Sequence, residues 1–296
     1  IPKNYSRTNG YPYVHTVRRD AKPPGQFALD YDATDRRGRI AKGKDPHLRL
    51  TCLTPTNEVA LAKGDPPQNK RGNPKYLDYA ILTRNGNNLE SVFTTVAEPY
   101  DTNPIVRSAR RLEVEIGEEG VLAAAMEVKL TNGRTDTIIA AEKPARVVTE
   151  TGVLLNGTFG ILSHRGGKIV FAKLTQGTEL SYSDFSLKSP VAEIRGEVIE
   201  CNIEDPADNH VIASLERKPA RSMKDRIVVF QNDGVQDAAY NIQSIRKQGK
   251  NFKISFGEET LIRGYADPKD PAKGFVLNVN AAEKLSIPMS VVFESD

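Results

Sequence analysis

Arg111-Leu-Glu-Val-Glu-Ile and Met126-Glu-Val-Lys-Leu alternate polar and apolar residues with a period of two, and most of the 296-residue chain keeps to that rhythm. Side chains of an extended strand point to opposite faces in turn, so this period gathers the apolar residues of a run on one face. Similar runs are Phe27-Ala-Leu-Asp-Tyr-Asp, His47-Leu-Arg-Leu-Thr-Cys-Leu, Tyr76-Leu-Asp-Tyr-Ala-Ile-Leu and Ser91-Val-Phe-Thr-Thr-Val. Lys168-Ile-Val-Phe-Ala-Lys-Leu, Glu193-Ile-Arg-Gly-Glu-Val-Ile, His210-Val-Ile-Ala-Ser-Leu, Phe252-Lys-Ile-Ser-Phe and Ser290-Val-Val-Phe continue the series. Turn signals punctuate it: Asn85-Gly86, Asn132-Gly133, Asn156-Gly157, Gly166-Gly167 and Asp233-Gly234. Such dipeptides tolerate the positive φ of a type I′ hairpin turn. The best helical stretch, Glu118 to Val128, lacks an N-cap and runs straight into Lys129-Leu130, so it too reads as strand.

Many short strands without intervening helices predict an all-β chain. The expected architecture is an antiparallel β-sandwich of the large supersandwich kind, with a second, smaller β region. The punctuation around Ala141-Glu-Lys-Pro-Ala divides the chain into residues 1–145 and 146–296, with one continuous sandwich as the alternative. Asp65-Pro-Pro-Gln-Asn-Lys-Arg-Gly-Asn-Pro reads as a surface loop.

Composition excludes several classes. A chain that is 39% hydrophobic and 27% charged is neither disordered nor a disulfide scaffold. No apolar run approaches the roughly 18 residues of a membrane helix, so no membrane span is expected. With 41 Lys+Arg against 38 Asp+Glu, the net charge of +3 supplies no field that argues for nucleic acid. Basic residues gather near the start, at Arg18, Arg19, Lys22, Arg36, Arg37, Arg39, Lys42 and Lys44. They read as a solvated loop, the alternative being a surface that meets an acidic polymer. Cys52 and Cys201 lie in strand-like runs and read as small buried hydrophobes, their pairing left open. The chain starts Ile1-Pro2-Lys3 without a charged-then-apolar leader, which reads as a processed piece.

No catalytic motif stands alone. His15, His47, His164 and His210 are widely separated, with no HExxH pair, so no metal and no cofactor is expected. His164 sits at a hairpin shoulder and reads as solvated; His47 opens a strand, where an edge position is expected and a groove lining is the alternative. Phosphate loops and nucleophile elbows are absent from the sequence. Tyr5, Tyr11 and Tyr13 read as pinning a terminal segment to the body, with sugar stacking as the alternative. Asn156-Gly157-Thr158 matches a glycosylation acceptor and reads as a turn. In Glu98-Pro99-Tyr100, Pro99 is expected to end the strand begun at Ser91, with the Tyr100 hydroxyl reaching a backbone partner.

Ser91-Val-Phe-Thr-Thr-Val-Ala-Glu-Pro-Tyr, after Arg84-Asn-Gly, resembles a segment of the heparinase II/III-like polysaccharide lyases. His47-Leu-Arg-Leu-Thr-Cys-Leu, Val59-Ala-Leu-Ala-Lys-Gly-Asp-Pro-Pro and Glu127-Val-Lys-Leu-Thr-Asn-Gly-Arg-Thr-Asp resemble other stretches of that family, in the same order. So do Leu155-Asn-Gly-Thr-Phe-Gly-Ile-Leu, Leu174-Thr-Gln-Gly-Thr-Glu-Leu and Ala239-Tyr-Asn-Ile-Gln-Ser-Ile, and the likeness spans residues 25 to 293. The resemblance implies the C-terminal β-sandwich region of such a lyase. It would support and line a cleft where the full protein cleaves an acidic polysaccharide by β-elimination. The partner it implies is an N-terminal helical toroid of the same polypeptide, and the setting periplasmic or extracellular. Ser91, Phe93, Glu98, Pro99 and Tyr100 are the motif residues, expected to be structural. The family's catalytic Tyr and His have no counterpart here, so no catalytic residue is assigned and no activity is expected of this chain alone. The alternative is a stand-alone carbohydrate-binding or structural surface module without catalysis.

Overall fold

The computed structural model describes residues 13–33, 35, 38–65, 74–219, 223–231 and 237–295. The fold is all-β: 61% of the described residues are strand, no α-helix occurs among them, and a 3₁₀ turn spans Pro271–Lys273. In chain order the strands are β1 (Val14–Asp20), β2 (Phe27–Asp32), β3 (Pro46–Cys52), β4 (Glu58–Gly64), β5 (Leu77–Thr83), β6 (Thr95–Asp101), β7 (Val106–Leu112), β8 (Val114–Ile116) and β9 (Ala123–Leu130). They continue as β10 (Arg134–Thr149), β11 (Leu154–Arg165), β12 (Lys168–Tyr182), β13 (Phe185–Lys188), β14 (Glu193–Asn202), β15 (Asn209–Leu215) and β16 (Ile227–Gln231). The last are β17 (Ala238–Asn241), β18 (Ser244–Gln248), β19 (Asn251–Gly257), β20 (Ile262–Tyr265), β21 (Phe275–Leu277), β22 (Lys284–Pro288) and β23 (Ser290–Glu294).

The chain divides into two compact units: 1–114 with 122–137, and 115–121 with 138–296. In the first unit, β1-β4-β5 and β2-β3-β6 form two three-stranded antiparallel sheets, and β7 pairs with β9. Alternation decides the faces of the β2-β3-β6 sheet. Leu29, Leu50 and Ala97 share one cross-strand row, and Tyr31, Leu48 and Pro99 another. Asp30, Arg49 and Glu98 then fall in register on the opposite face, with Asp32, His47 and Tyr100 in the next row. That polar face carries the candidate site.

In the second unit, β11 and β12 form a long hairpin whose turn, Gly166-Gly167, has φ of 56° and 77°. Positive φ at both positions is the type I′ geometry for which glycine is suited. The outer edge of β12 is shared between β23 and β13. A seven-stranded antiparallel sheet of order β17-β16-β22-β14-β15-β19-β18 completes the unit with the small β20-β21 pair. One face of the seven-stranded sheet buries Phe230, Phe256, Tyr240, Ile254, Leu285 and Ile287 around Leu261 and Val279. Phe230 and Phe256 meet edge to face at 6.0 Å, an arrangement aromatic quadrupoles favour.

Several expectations are corrected. Ser91–Thr94 are not strand, and β6 begins at Thr95. Pro99 does not end it: β6 runs on to Asp101, because it is an edge strand and its outer backbone groups have no ladder partner for a proline to disrupt. Asn156-Gly157 is not a turn but lies inside β11 at a register shift, where a Cβ on Gly157 would stand 2.5 Å from the Gly177 Cα of β12. Here glycine serves close backbone approach rather than chain reversal. Arg18 and Arg19 belong to β1 rather than a loop, and Arg19 pairs with Glu58. Thr16, at φ 52°, marks a bulge that breaks the period in that strand. The expected strand Arg111–Ile116 is two pieces, β7 and β8. Tyr5, Tyr11, Arg36, Arg37, the loop at 66–73 and Asp233-Gly234 lie outside the described residues.

Candidate functional site

His47, Arg49, Tyr100 and Asp30 meet on the polar face of the β2-β3-β6 sheet. His47 and Arg49 are two residues apart on β3, hence on one face, and the register sets Tyr100 beside His47 and Asp30 beside Arg49. The His47 and Tyr100 rings stack with centroids 4.9 Å apart and planes 8° from parallel. The Arg49 guanidinium lies 5.1 Å from the Tyr100 centroid, a cation–π contact. Both Arg49 Nε and the Tyr100 hydroxyl donate to the same oxygen of Asp30, at 2.9 and 2.7 Å. β3 is the middle strand, so the expectation that His47 sits at an edge is corrected, as is the expected backbone partner for the Tyr100 hydroxyl.

Carboxylates surround the imidazole. Nδ1 faces Asp32 at 3.0 Å and Asp30 at 3.3 Å, and Nε2 faces Asp45 at 3.2 Å. The hydrogen bond that His47 donates to Asp45 raises the His47 pKa above its ordinary value against the opposing cost of burial, and the charges of Asp45, Asp32 and Asp30 add to it. Tyr100 is raised, first by its bond to Asp30, and Asp30 is lowered, first by the same bond. The loop carrying Asp45 is fastened by Asp101 at the end of β6. One Asp101 oxygen accepts the Asp45 backbone N–H at 2.8 Å, and the other accepts Lys44 Nζ at 2.7 Å.

Beside this cluster runs a groove of about 480 Å³, lined by Arg49, Asp30, Gln26 and Thr51 together with Arg107 and Ser108 of β7. Gln26 Nε2 donates to the Ala109 carbonyl at 2.9 Å, tying the start of β2 to β7. Arg107 is exposed and has no ion-pair partner among the described residues. The groove thus offers one free guanidinium, one guanidinium held by the Asp30 carboxylate, the buried Glu98 carboxylate spent on backbone N–H groups, and several uncharged hydrogen-bonding groups.

The motif residues divide between two places. Glu98, only 4% exposed, accepts the backbone N–H groups of Ile105 and Val106 at 2.6 and 2.7 Å, so it fixes the start of β7. Tyr100 belongs to the cluster, and Pro99 faces the other side of β6. Ser91 accepts from Arg84 Nη1 at 3.1 Å and, with Phe93, lines a separate open depression beside Leu89. Arg49, Asp30 and Arg107 carry no motif that marks them as site residues, and His47 reads from the sequence only as an edge residue or a groove lining. The alternation of Asp30/Asp32 with Leu29/Tyr31, and of His47/Arg49 with Leu48/Leu50, was the readable signal.

The other histidines stand apart. His15 meets Tyr76 edge-on at 5.0 Å, His164 is half-buried against Tyr182 rather than solvated, and His210 bonds the Asp208 carbonyl. Cys52 and Cys201 are free thiols, and burial pushes Cys201 up to about 11. Among the described residues no group of three or more His, Cys, Asp or Glu is placed to hold a metal ion, and no helix is long and apolar enough to cross a membrane. No protein-family model, no curated protein and no solved structure matches the chain.

Proposed function

We propose that this chain is the β-sheet region of a heparinase II/III-like polysaccharide lyase, lining the cleft for an acidic polysaccharide that the full protein cleaves by β-elimination. The observation that carries the reading is the groove at Arg49 and Arg107. A uronate carboxylate suits a guanidinium, which presents paired donors in a plane, and Gln26, Thr51 and Ser108 offer hydrogen bonds to sugar hydroxyls. The ordered family-like segments of the sequence support the same reading.

β-Elimination needs a base at the uronate C5 proton, an acid for the leaving oxygen and positive charge against the carboxylate. Arginines provide the third. The stacked pair is poorly suited to the first. Tyr100 is raised by the carboxylate it bonds, which disfavours the phenolate, and His47 is raised by its own carboxylates, which favours the imidazolium. The abstraction of the C5 proton therefore falls to the rest of the parent protein, a helical toroid in the same polypeptide.

The test is to incubate the purified chain with heparan sulfate and alginate while following both binding and the absorbance of unsaturated ends. Binding that weakens with salt and in Arg107→Ala, without any rise in absorbance, is the expected result. No binding to uronates, or uronate binding unchanged by salt and in Arg107→Ala, would remove the support; sustained turnover would show a complete site within the chain.

A further inference from the structure

The second unit holds a different depression, of about 630 Å³, on the exposed face of the seven-stranded sheet. Register places Ser214 opposite Glu197, Glu197 opposite Lys284 and Lys284 opposite Gln231, so one polar row crosses β15, β14, β22 and β16. Four strands at about 4.8 Å spacing give that row a span of roughly 14 Å. Arg195 and Ser286 are paired in a neighbouring row of the same face. Outward polar residues are usual on a half-solvated sheet; a hollow within the roughly 300–1,000 Å³ range of ligand sites is not.

A Cβ on Gly196, which shares the core-facing side of β14 with Ile194 and Val198, would lie 2.2 Å from the Ser214 carbonyl oxygen and 2.7 Å from a Leu215 methyl, so β14 and β15 approach this closely only because the residue is glycine. The charges in the hollow are largely matched. Arg195 Nε donates to Glu193 at 2.6 Å, and Glu197 directly faces Lys284. Glu216, also on the rim, leaves the lining slightly negative. Such a surface disfavours a polyanion while presenting donors and acceptors alternately to uncharged hydroxyls.

We propose that this face of β14, β15, β16 and β22 binds a neutral oligosaccharide laid across the strands, as a second glycan site chemically distinct from the Arg49–Arg107 groove. It uses other residues in the other unit, so either site can fail without the other. The experiment is amide chemical-shift mapping on the ¹⁵N-labelled chain, titrated to millimolar concentration with cello-, laminari- and mannohexaose, and with a uronate hexamer for comparison. At least one neutral hexaose is expected to shift the amides of Glu197, Ser214, Gln231 and Ser286. Its affinity should fall about tenfold in a Ser214→Ala/Gln231→Ala double variant, which removes two hydrogen-bonding side chains. Both residues are exposed, so Tm should hold; if it falls, the map on the unaltered chain decides. No shift at these amides with any neutral hexaose, unchanged affinity in a folded variant, or tighter binding of the uronate here would overturn the proposal.

Discussion

At the level of single residues, His47 and Glu98 make opposite uses of carboxylate chemistry. His47 gains charge in the folded state: its raised pKa means the imidazolium is favoured by Asp45, Asp32 and Asp30. That stabilisation is fully present below the unfolded value of about 6.5 and is lost as pH rises through the folded pKa. Asp30 and Asp101 are lowered, so their contribution is present above about 3.9 and lost as pH falls through their folded values. Thermal melts against pH should therefore show an advantage of the unaltered protein over His47→Gln that is largest near pH 6 and shrinks on the alkaline side. A constant difference between the two would contradict this account of the cluster. Glu98 is buried and bonds two backbone N–H groups. Glu98→Ala should cost about 2–4 kcal/mol in urea denaturation, because both donors are left without their charged acceptor. Glu98→Gln, which keeps an acceptor oxygen, should cost less.

At the level of strands, glycines in similar sequence contexts do different jobs. Gly157 and Gly177 let β11 and β12 approach across a bulge, and a Cβ on Gly177 would stand 2.5 Å from the Asn156 carbonyl oxygen. Gly177→Ala should therefore cost about 1–3 kcal/mol or more, as overpacking against backbone does. Gly166→Ala, in the open hairpin turn, meets no neighbouring atom and bears only its positive φ, costing about 1–2 kcal/mol. Urea denaturation of the two variants measures that ordering. The same contrast shows what was readable. β2 was legible to the residue and β3 nearly so, because Leu29/Tyr31 and Leu48/Leu50 alternate cleanly with polar residues. β1 was not, because the bulge at Thr16 shifts its period. Asn156-Gly157 was misread because local sequence does not distinguish a dipeptide that turns the chain from one that admits a neighbouring strand. His47 and Tyr100 are separated by more than fifty positions, and only the β3–β6 register brings their rings together. That register is a property of the folded sheet, so the polar faces were readable but the cluster was not.

At the scale of the whole chain, the net charge of +3 is too small to concentrate polyanions by itself, so recognition rests on local placement. Arg49 and Arg107 supply that placement in the first unit, and their contribution should weaken as added salt shortens the screening length. The most direct test of the account is a chemical-shift map of the ¹⁵N-labelled chain with heparan sulfate or alginate oligosaccharides at low and high salt. The account predicts shifts concentrated at Arg49, Thr51, Arg107 and Ser108 that fade with salt and are absent with neutral oligosaccharides. Uronate binding that leaves these four residues unmoved would contradict it.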